Sequence, residues 1–191
     1  AYALMDRIRD AHPALEIESC SGGGGRIDFA VLERTHRVWT SDNIDALSRV
    51  RIQRGLLQWF PPEIMGAHVG TAPSHATGRS QSMAFRGAVA LSGHFGVELD
   101  VRKLDDKTKR ELAGWIALYK QWRDHIHSSR TWMGDAGDHV VWQLHGTPGG
   151  RDWLFLAYRT QPSTLRYMPA VRLPMLDPHQ RYRLRVVTPD A

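Results

Sequence analysis

The sequence predicts an α/β fold: helices and parallel strands over residues 1–130, followed by a small antiparallel β-sheet or sandwich over 131–191. Three observations carry that prediction. Two short strand-like segments, Ala14-Leu-Glu-Ile-Glu18 and Arg37-Val-Trp-Thr40, each run into a polar or glycine-rich loop, as strand ends do at the ligand-facing edge of parallel α/β folds. A helical pattern then follows the second of them directly, and strand, loop, strand, helix is the order of a parallel architecture. Beyond Arg130 the apolar period changes from three and four residues to two.

Taken in order, residues 4–11 read as the end of a helix, and His12-Pro13 breaks it before the first strand. The glycine loop Ser21-Gly-Gly-Gly-Gly25 follows, and Ile27 to Arg34 is a mixed segment. After the second strand, Asp45 to Leu57 is helical, with Ile44, Leu47, Val50 and Arg51 stepping round one face until Pro61-Pro62 ends it. Residues 63–79 are rich in small side chains and read as an extended loop. Ser82 to Ser92 is a further helix, with Met83, Arg86, Gly87 and Ala90 on its close-packing face. Thr108 to Ser128 carries the clearest stripe, Leu112, Trp115, Ile116, Tyr119, Trp122 and Ile126, with Asp105 and Asp106 at its N-terminus. The β unit is expected from runs at 140–144, 153–158, 164–167, 170–173 and 181–186, separated by turn residues at 147–150, 161–162 and 177–178.

Composition narrows the function classes. With 191 residues, 42% of them apolar, the chain suits a packed globular core rather than a disordered segment. Its net charge of +5 is spread singly along the chain, and the alternation of Arg181-Tyr-Arg-Leu-Arg185 fits a wet strand face, so no nucleic-acid partner is expected. No apolar run reaches the ~18 residues of a membrane helix, and no membrane partner is expected. The single cysteine excludes an internal disulfide and a multi-Cys zinc site, and favours a reducing, cytoplasmic setting. The absence of an initiator Met suggests a piece of something longer.

Asp42 is the candidate acid. It stands in Ser41-Asp42-Asn43 just past a Trp-containing strand, and in a carbohydrate site a carboxyl group so placed can protonate a glycosidic oxygen if burial or a second carboxylate raises its pKa. Ser-Asp-Asn ahead of a helix is also a favoured capping sequence, so Asp42 as a helix cap is the competing reading. Cys20 beside the glycine loop invites a nucleophile reading, but no arrangement identifies its base. The glycine run lacks both the Gly-Lys-Ser/Thr ending of a P-loop and a dinucleotide fingerprint. His125 with His127, and His68 with His75, have no metal-ligand spacing and read as surface histidines.

Glu18-Ser-Cys-Ser-Gly-Gly-Gly-Gly-Arg26 and Val38-Trp-Thr-Ser-Asp-Asn43, in this order and separation, resemble the corresponding motifs of family 36 glycoside hydrolases, the α-galactosidases (melibiases) of bacteria and fungi. The similarity continues through Arg51-Ile-Gln-Arg-Gly55, Pro61-Pro62-Glu63, Met65-Gly-Ala-His-Val69 and the Trp115 to Ile126 helix. It extends more loosely to Leu176-Asp-Pro178 and Arg181-Tyr182, so that most of the chain is covered. The resemblance implies a (β/α)₈ barrel followed by a C-terminal β domain, and retaining hydrolysis of terminal α-galactosides without metal, nucleotide or other cofactor. Asp42 would be the general acid/base, Cys20 and Gly23 would line the galactose pocket, and Trp39 would wall it. The partner implied is a small α-galactoside of the melibiose or raffinose type, and a homo-oligomeric parent is compatible with it.

One part of the family pattern is missing. The family's nucleophile is the Asp of a Lys-Trp-Asp motif on an earlier strand, and no Lys-Trp-Asp occurs in this sequence. Retaining chemistry needs two carboxylates ~5 to 5.5 Å apart. A complete barrel also takes ~250 residues, against about 130 here before the β unit. The chain therefore reads as a C-terminal fragment holding the last two barrel strands, their helices and the β domain, inactive alone. The alternatives are a sugar-binding module without catalysis and a galactosyl-transferring relative.

Overall fold

The computed structural model describes residues 1–167 and 169–189. Its first part is a four-stranded parallel sheet in sequential order, β1 (Glu18–Ser19), β2 (Arg37–Trp39), β3 (Met65–Gly70) and β4 (His94–Glu98). Helices α1 (Tyr2–Ala11), α2 (Ser21–Gly24, a single tight turn), α3 (Phe29–Leu32), α4 (Ala46–Leu57), α5 (Met83–Ala90) and α6 (Asp106–Ser128) are set between and around the strands. The second part is a three-stranded antiparallel meander, β5 (Arg130–Ala136), β6 (Val140–Gly146) and β7 (Trp153–Arg159).

The parallel sheet thus has four strands where the sequence signals two. Strand β3 lies inside the stretch expected to be an extended loop, and β4 was not marked at all. Both are short and carry glycines, so they lack the β-branched alternation that announces a half-exposed strand. Here the glycines are needed sterically: a Cβ at Gly70 would stand 2.7 Å from Ile44, and one at Gly96 would stand 2.3 Å from the His68 ring. The first strand is correspondingly shorter than expected, two residues in place of five.

Strand registry divides the parallel sheet into two unlike faces. Val38, Met65, Ala67 and Val69 are fully buried against helices, and Val69 shares a core with Ala46 and Val50 of α4, Val89 and Ala90 of α5, and Trp115 of α6. The opposite face carries Glu18, Arg37, Trp39, His68, His94 and Glu98, placed together by the pairs Glu18↔Arg37, Trp39↔Gly66, His68↔Gly96 and Gly70↔Glu98. Arg37 bridges Glu16 at 2.6 Å and Glu18 at 3.2 Å on that face.

Helix α6 forms as its apolar stripe requires. Asp105 caps it by accepting from the Thr108 amide at 2.7 Å, and Leu112, Trp115, Leu118 and Ile126 are buried, each contributing roughly 1.5–3 kcal/mol. Gly87 of α5 lets the two helices close up, since a Cβ there would fall 2.4 Å from the Trp115 ring. In α4 the buried face is Ala46, Arg49, Val50, Gln53, Leu56 and Leu57, so Arg51, expected on that face, points outward.

Strand β6 is buried along its whole length. Val141, Leu154, Leu156 and Tyr158 join the helical core on one side of the meander. On the other side Val140, Trp142 and Leu144 are covered by Val171, Leu173, Met175 and Leu176. Those last residues belong to a segment expected to form strands at 164–167, 170–173 and 181–186, yet no helix or strand occurs among the described residues after Arg159. Pro162, Pro169, Pro174 and Pro178 break the segment into short pieces, and Val171, Leu173, Met175 and Leu176 pack against the meander through their side chains. Arg54 of α4 pairs with Asp135 of β5, with Nη2 donating to Oδ2 at 2.9 Å, and ties the two sheets together.

Candidate active site

The two loops that leave β1 and β2 meet. The first wraps through Gly22, Gly23 and Gly24 with φ of 69°, 71° and 87°, a left-handed path that side chains resist. A Cβ at Gly24 would stand 2.5 Å from the Thr40 carbonyl oxygen, and one at Gly23 would stand 2.6 Å from the Asp42 amide nitrogen. The glycines therefore let the first loop lie directly on the second.

Asp42 is exposed at this junction. Trp39 donates its Nε1–H to Asp42 Oδ1 at 3.1 Å, and the Cys20 thiol faces the same oxygen from 4.0 Å. Among the described residues nothing donates to Oδ2. One carboxylate oxygen is anchored and the other is open, which suits a group that must pass a proton to something lying over the loop. The structure thus brings Asp42, Cys20, Gly23 and Trp39 together.

The helix-cap reading of Asp42 does not hold. Asp45 caps α4, accepting from the Ser48 amide at 2.8 Å, while Ser41 Oγ and Asn43 Oδ1 turn the intervening backbone by accepting from the Asn43 and Asp45 amides. Asp45 is itself buried and also accepts from Thr77 Oγ1 at 2.7 Å and from Arg79 at 2.9 and 3.0 Å. Burial alone would raise its pKa; the Arg79, Ser48 and Thr77 hydrogen bonds override it and bring the carboxyl to about 2. Asp42 is thereby left free of the helix.

Trp39 is 6% exposed and held on both faces. The Arg49 guanidinium lies over one face at 4.2 Å, and the His68 ring stacks on the other at 4.1 Å and 23°. His68 is oriented in turn by Glu98 Oε2, 3.1 Å from its Nδ1. Arg49 is 1% exposed, and burial pushes its pKa down to about 10, with Glu98 acting the other way, so it stays charged at neutral pH. Neither Arg49, His68 nor Glu98 was a candidate from sequence. The histidine reading also needs correction: His75 is exposed as expected, but His68, His125 and His127 are half-buried, and His127 packs edge-on against His94 at 4.4 Å. Among the described residues no group of three His, Cys, Asp or Glu side chains is placed to hold a metal ion.

Comparison with known proteins bears on this arrangement. The Melibiase family model matches residues 1–129, which contain every residue named around Asp42. The chain belongs to the melibiase family. An α-galactosidase of Escherichia coli is 46% identical over 97% of this chain and 26% of its own length, and the α-galactosidase AgaA of Geobacillus stearothermophilus is 37% identical over 96% of this chain and 25% of its own. Crystal structures of variant AgaA superpose with TM-scores of 0.87 in a raffinose complex and 0.86 in a stachyose complex, both at 35% identity over 92% of this chain and 25% of theirs. AgaA is a family 36 glycoside hydrolase, and this melibiase chain spans about a quarter of the length of these relatives.

Proposed function

We propose that this chain is the C-terminal quarter of a retaining α-galactosidase. It would supply the last four strands of a (β/α)₈ barrel from residues 1–130 and the C-terminal β domain from 131–191. The polar face of the parallel sheet supports this reading, because Glu18, Arg37, Trp39, His68 and Glu98 would then line a barrel interior, with the β1 and β2 loops at its C-terminal rim.

The observation that carries the chemistry is Asp42, with one oxygen anchored by Trp39 and the other open above the Gly23 loop. In this reading Asp42 protonates the departing glycosidic oxygen and then draws a proton from the water that releases galactose. Trp39 walls the sugar site, and Cys20 and Gly23 line it. The nucleophile comes from a carboxylate outside this sequence, which has no Lys-Trp-Asp. The substrate is a terminal α-galactoside of the melibiose or raffinose type. The exposed free thiol of Cys20 is consistent with a cytoplasmic enzyme.

The test is Asp42→Ala in the full-length protein. Loss of kcat/KM is expected to be large for melibiose or raffinose and small for an aryl α-galactoside whose phenol departs without a proton. Added azide should restore turnover of the aryl substrate and yield an α-galactosyl azide, since azide attacks the covalent intermediate without needing a base. Equal losses on both substrates with no azide product would remove Asp42 from the acid/base role.

A further inference from the structure

We infer that Arg49 is the positioning residue that aims Asp42, acting at once on the Trp39 ring and on the Ser41 carbonyl; this rests on the acid/base reading of Asp42 given above. Arg49 sits in the wall of α4 with its guanidinium withdrawn from solvent. Among the described residues it makes no salt bridge. Its N–H groups go instead to neutral acceptors: Nε to Gln53 Oε1 at 3.1 Å, Nη1 to the Ser41 carbonyl at 2.8 Å and Nη2 to the Gly66 carbonyl at 2.9 Å. A guanidinium buried without a contacting carboxylate is a costly way to join a turn to a strand. The arrangement makes sense if the planar fork does something no other side chain would.

Two consequences of the fork converge on Asp42. The Ser41 carbonyl belongs to the peptide unit that continues into the Asp42 amide, so Arg49 fixes the backbone from which the carboxylate hangs. The guanidinium carbon also lies 4.2 Å from the Trp39 ring, pressing it against His68 and leaving the indole N–H directed at Asp42 Oδ1. Backbone and carboxylate are thus located by one cation that hydrogen-bonds to the Ser41 carbonyl and makes no hydrogen bond to the Asp42 carboxylate itself. Gln53 holds the fork in plane and is itself fixed through hydrogen bonds to the Val89 carbonyl and Ser92 Oγ, both at 2.9 Å. Proton transfer is sensitive to such placement, since displacement by ~1 Å can cost on the order of a hundredfold in rate.

The experiment compares Arg49→Gln and Arg49→Lys with Asp42→Ala in the full-length protein, measuring kcat/KM on raffinose and on an aryl α-galactoside with a good leaving group. Arg49→Gln is expected to lose roughly tenfold or more on raffinose and less than about threefold on the aryl substrate. Arg49→Lys should show the same pattern, because an ammonium is a point donor and cannot reach three acceptors in one plane. In a Trp39→Phe background, which removes the indole donor, Arg49→Gln should add less than it costs alone. Equal losses on both substrates, or wild-type values in a folded Arg49→Lys protein, would overturn the inference. Should Arg49→Gln not fold, Arg49→Lys decides. If Asp42→Ala shows the leaving-group dependence and the Arg49 variants do not, only the inference falls; if Asp42→Ala lacks it, the underlying reading falls as well.

Discussion

Gly23 lies so close to Asp42 that a Cβ on it would stand 2.6 Å from the Asp42 amide nitrogen and 3.1 Å from Oδ2. The shortest approach is to the Asp42 backbone, so it cannot be relieved by turning the Asp42 side chain away. The position of the candidate acid is therefore limited by the absence of a side chain two strands' ends away.

Gly23→Ala should accordingly damage the site more than the fold. Its φ of 71° adds about 1–2 kcal/mol of backbone strain for any L-residue. Relief by moving Asp42 outward should lower kcat/KM on raffinose by roughly tenfold or more in the full-length protein. A variant with wild-type kcat/KM would show that the β1 loop yields instead.

Asp45→Asn should lower stability and change its acid dependence. The carboxyl is held at about 2 by Arg79, Ser48 and Thr77 against the opposing effect of burial, compared with about 3.9 in an unfolded chain. Its contribution is complete above pH 3.9 and disappears as pH falls through 2. Urea unfolding should find Asp45→Asn less stable by roughly 1–3 kcal/mol at pH 7, with the gap closing towards pH 2. A gap that stays constant over that interval would show that the charge is not what matters.

His145 should make the β unit acid-sensitive in a higher window. It is fully buried, with Nδ1 3.1 Å from Thr131 Oγ1 and no partner for Nε2 among the described residues. Burial first, and His125 and His127 after it, push its pKa down to about 4, from about 6.5 when unfolded. The unfolded chain therefore binds the extra proton first, and stability present above pH 6.5 is lost as pH falls towards 4, by up to roughly 3 kcal/mol. His145→Leu should flatten the slope of unfolding free energy across that window. An unchanged slope would place the sensitivity in other groups, His94 and His127 being the next candidates because burial lowers both.

The 191-residue chain by itself should give only background turnover of an aryl α-galactoside, because no second carboxylate of the required motif is present. It should also self-associate on light scattering, since β1 and β4 are edges of the parallel sheet and Trp59 is 82% exposed. Turnover well above background would mean that a nucleophile lies within the chain.

Much of this was legible in the sequence, for identifiable physical reasons. The stripe of α6 repeats at helical spacing over about four turns, and the Cys20 and Asp42 motifs sit on short local turns whose conformation their own residues dictate. Asp42 and Cys20 stood out as candidates from their loops, Gly23 and Trp39 only through the family resemblance, and in the structure all four meet. Strands β3 and β4 were not recognisable. Each carries a single β-branched residue, Val69 or Val97, and glycines take positions on the opposite face, so the alternation is too short and too small-sided to announce a strand.

What the sequence by itself determined is which side chains are candidates for the site and the turns that carry them. What only the tertiary structure decided is which neighbours hold those side chains in place. Asp45 caps α4 because Thr77 and Arg79 arrive from more than thirty residues away, and that frees Asp42. Arg49 faces inward although Arg51, a similar residue in the same helix, does not, because its partners are a ring on β2 and a carbonyl on β3. Helical periodicity places a side chain on a face. Whether a charged one is buried there depends on acceptors that come together only when the strands are packed.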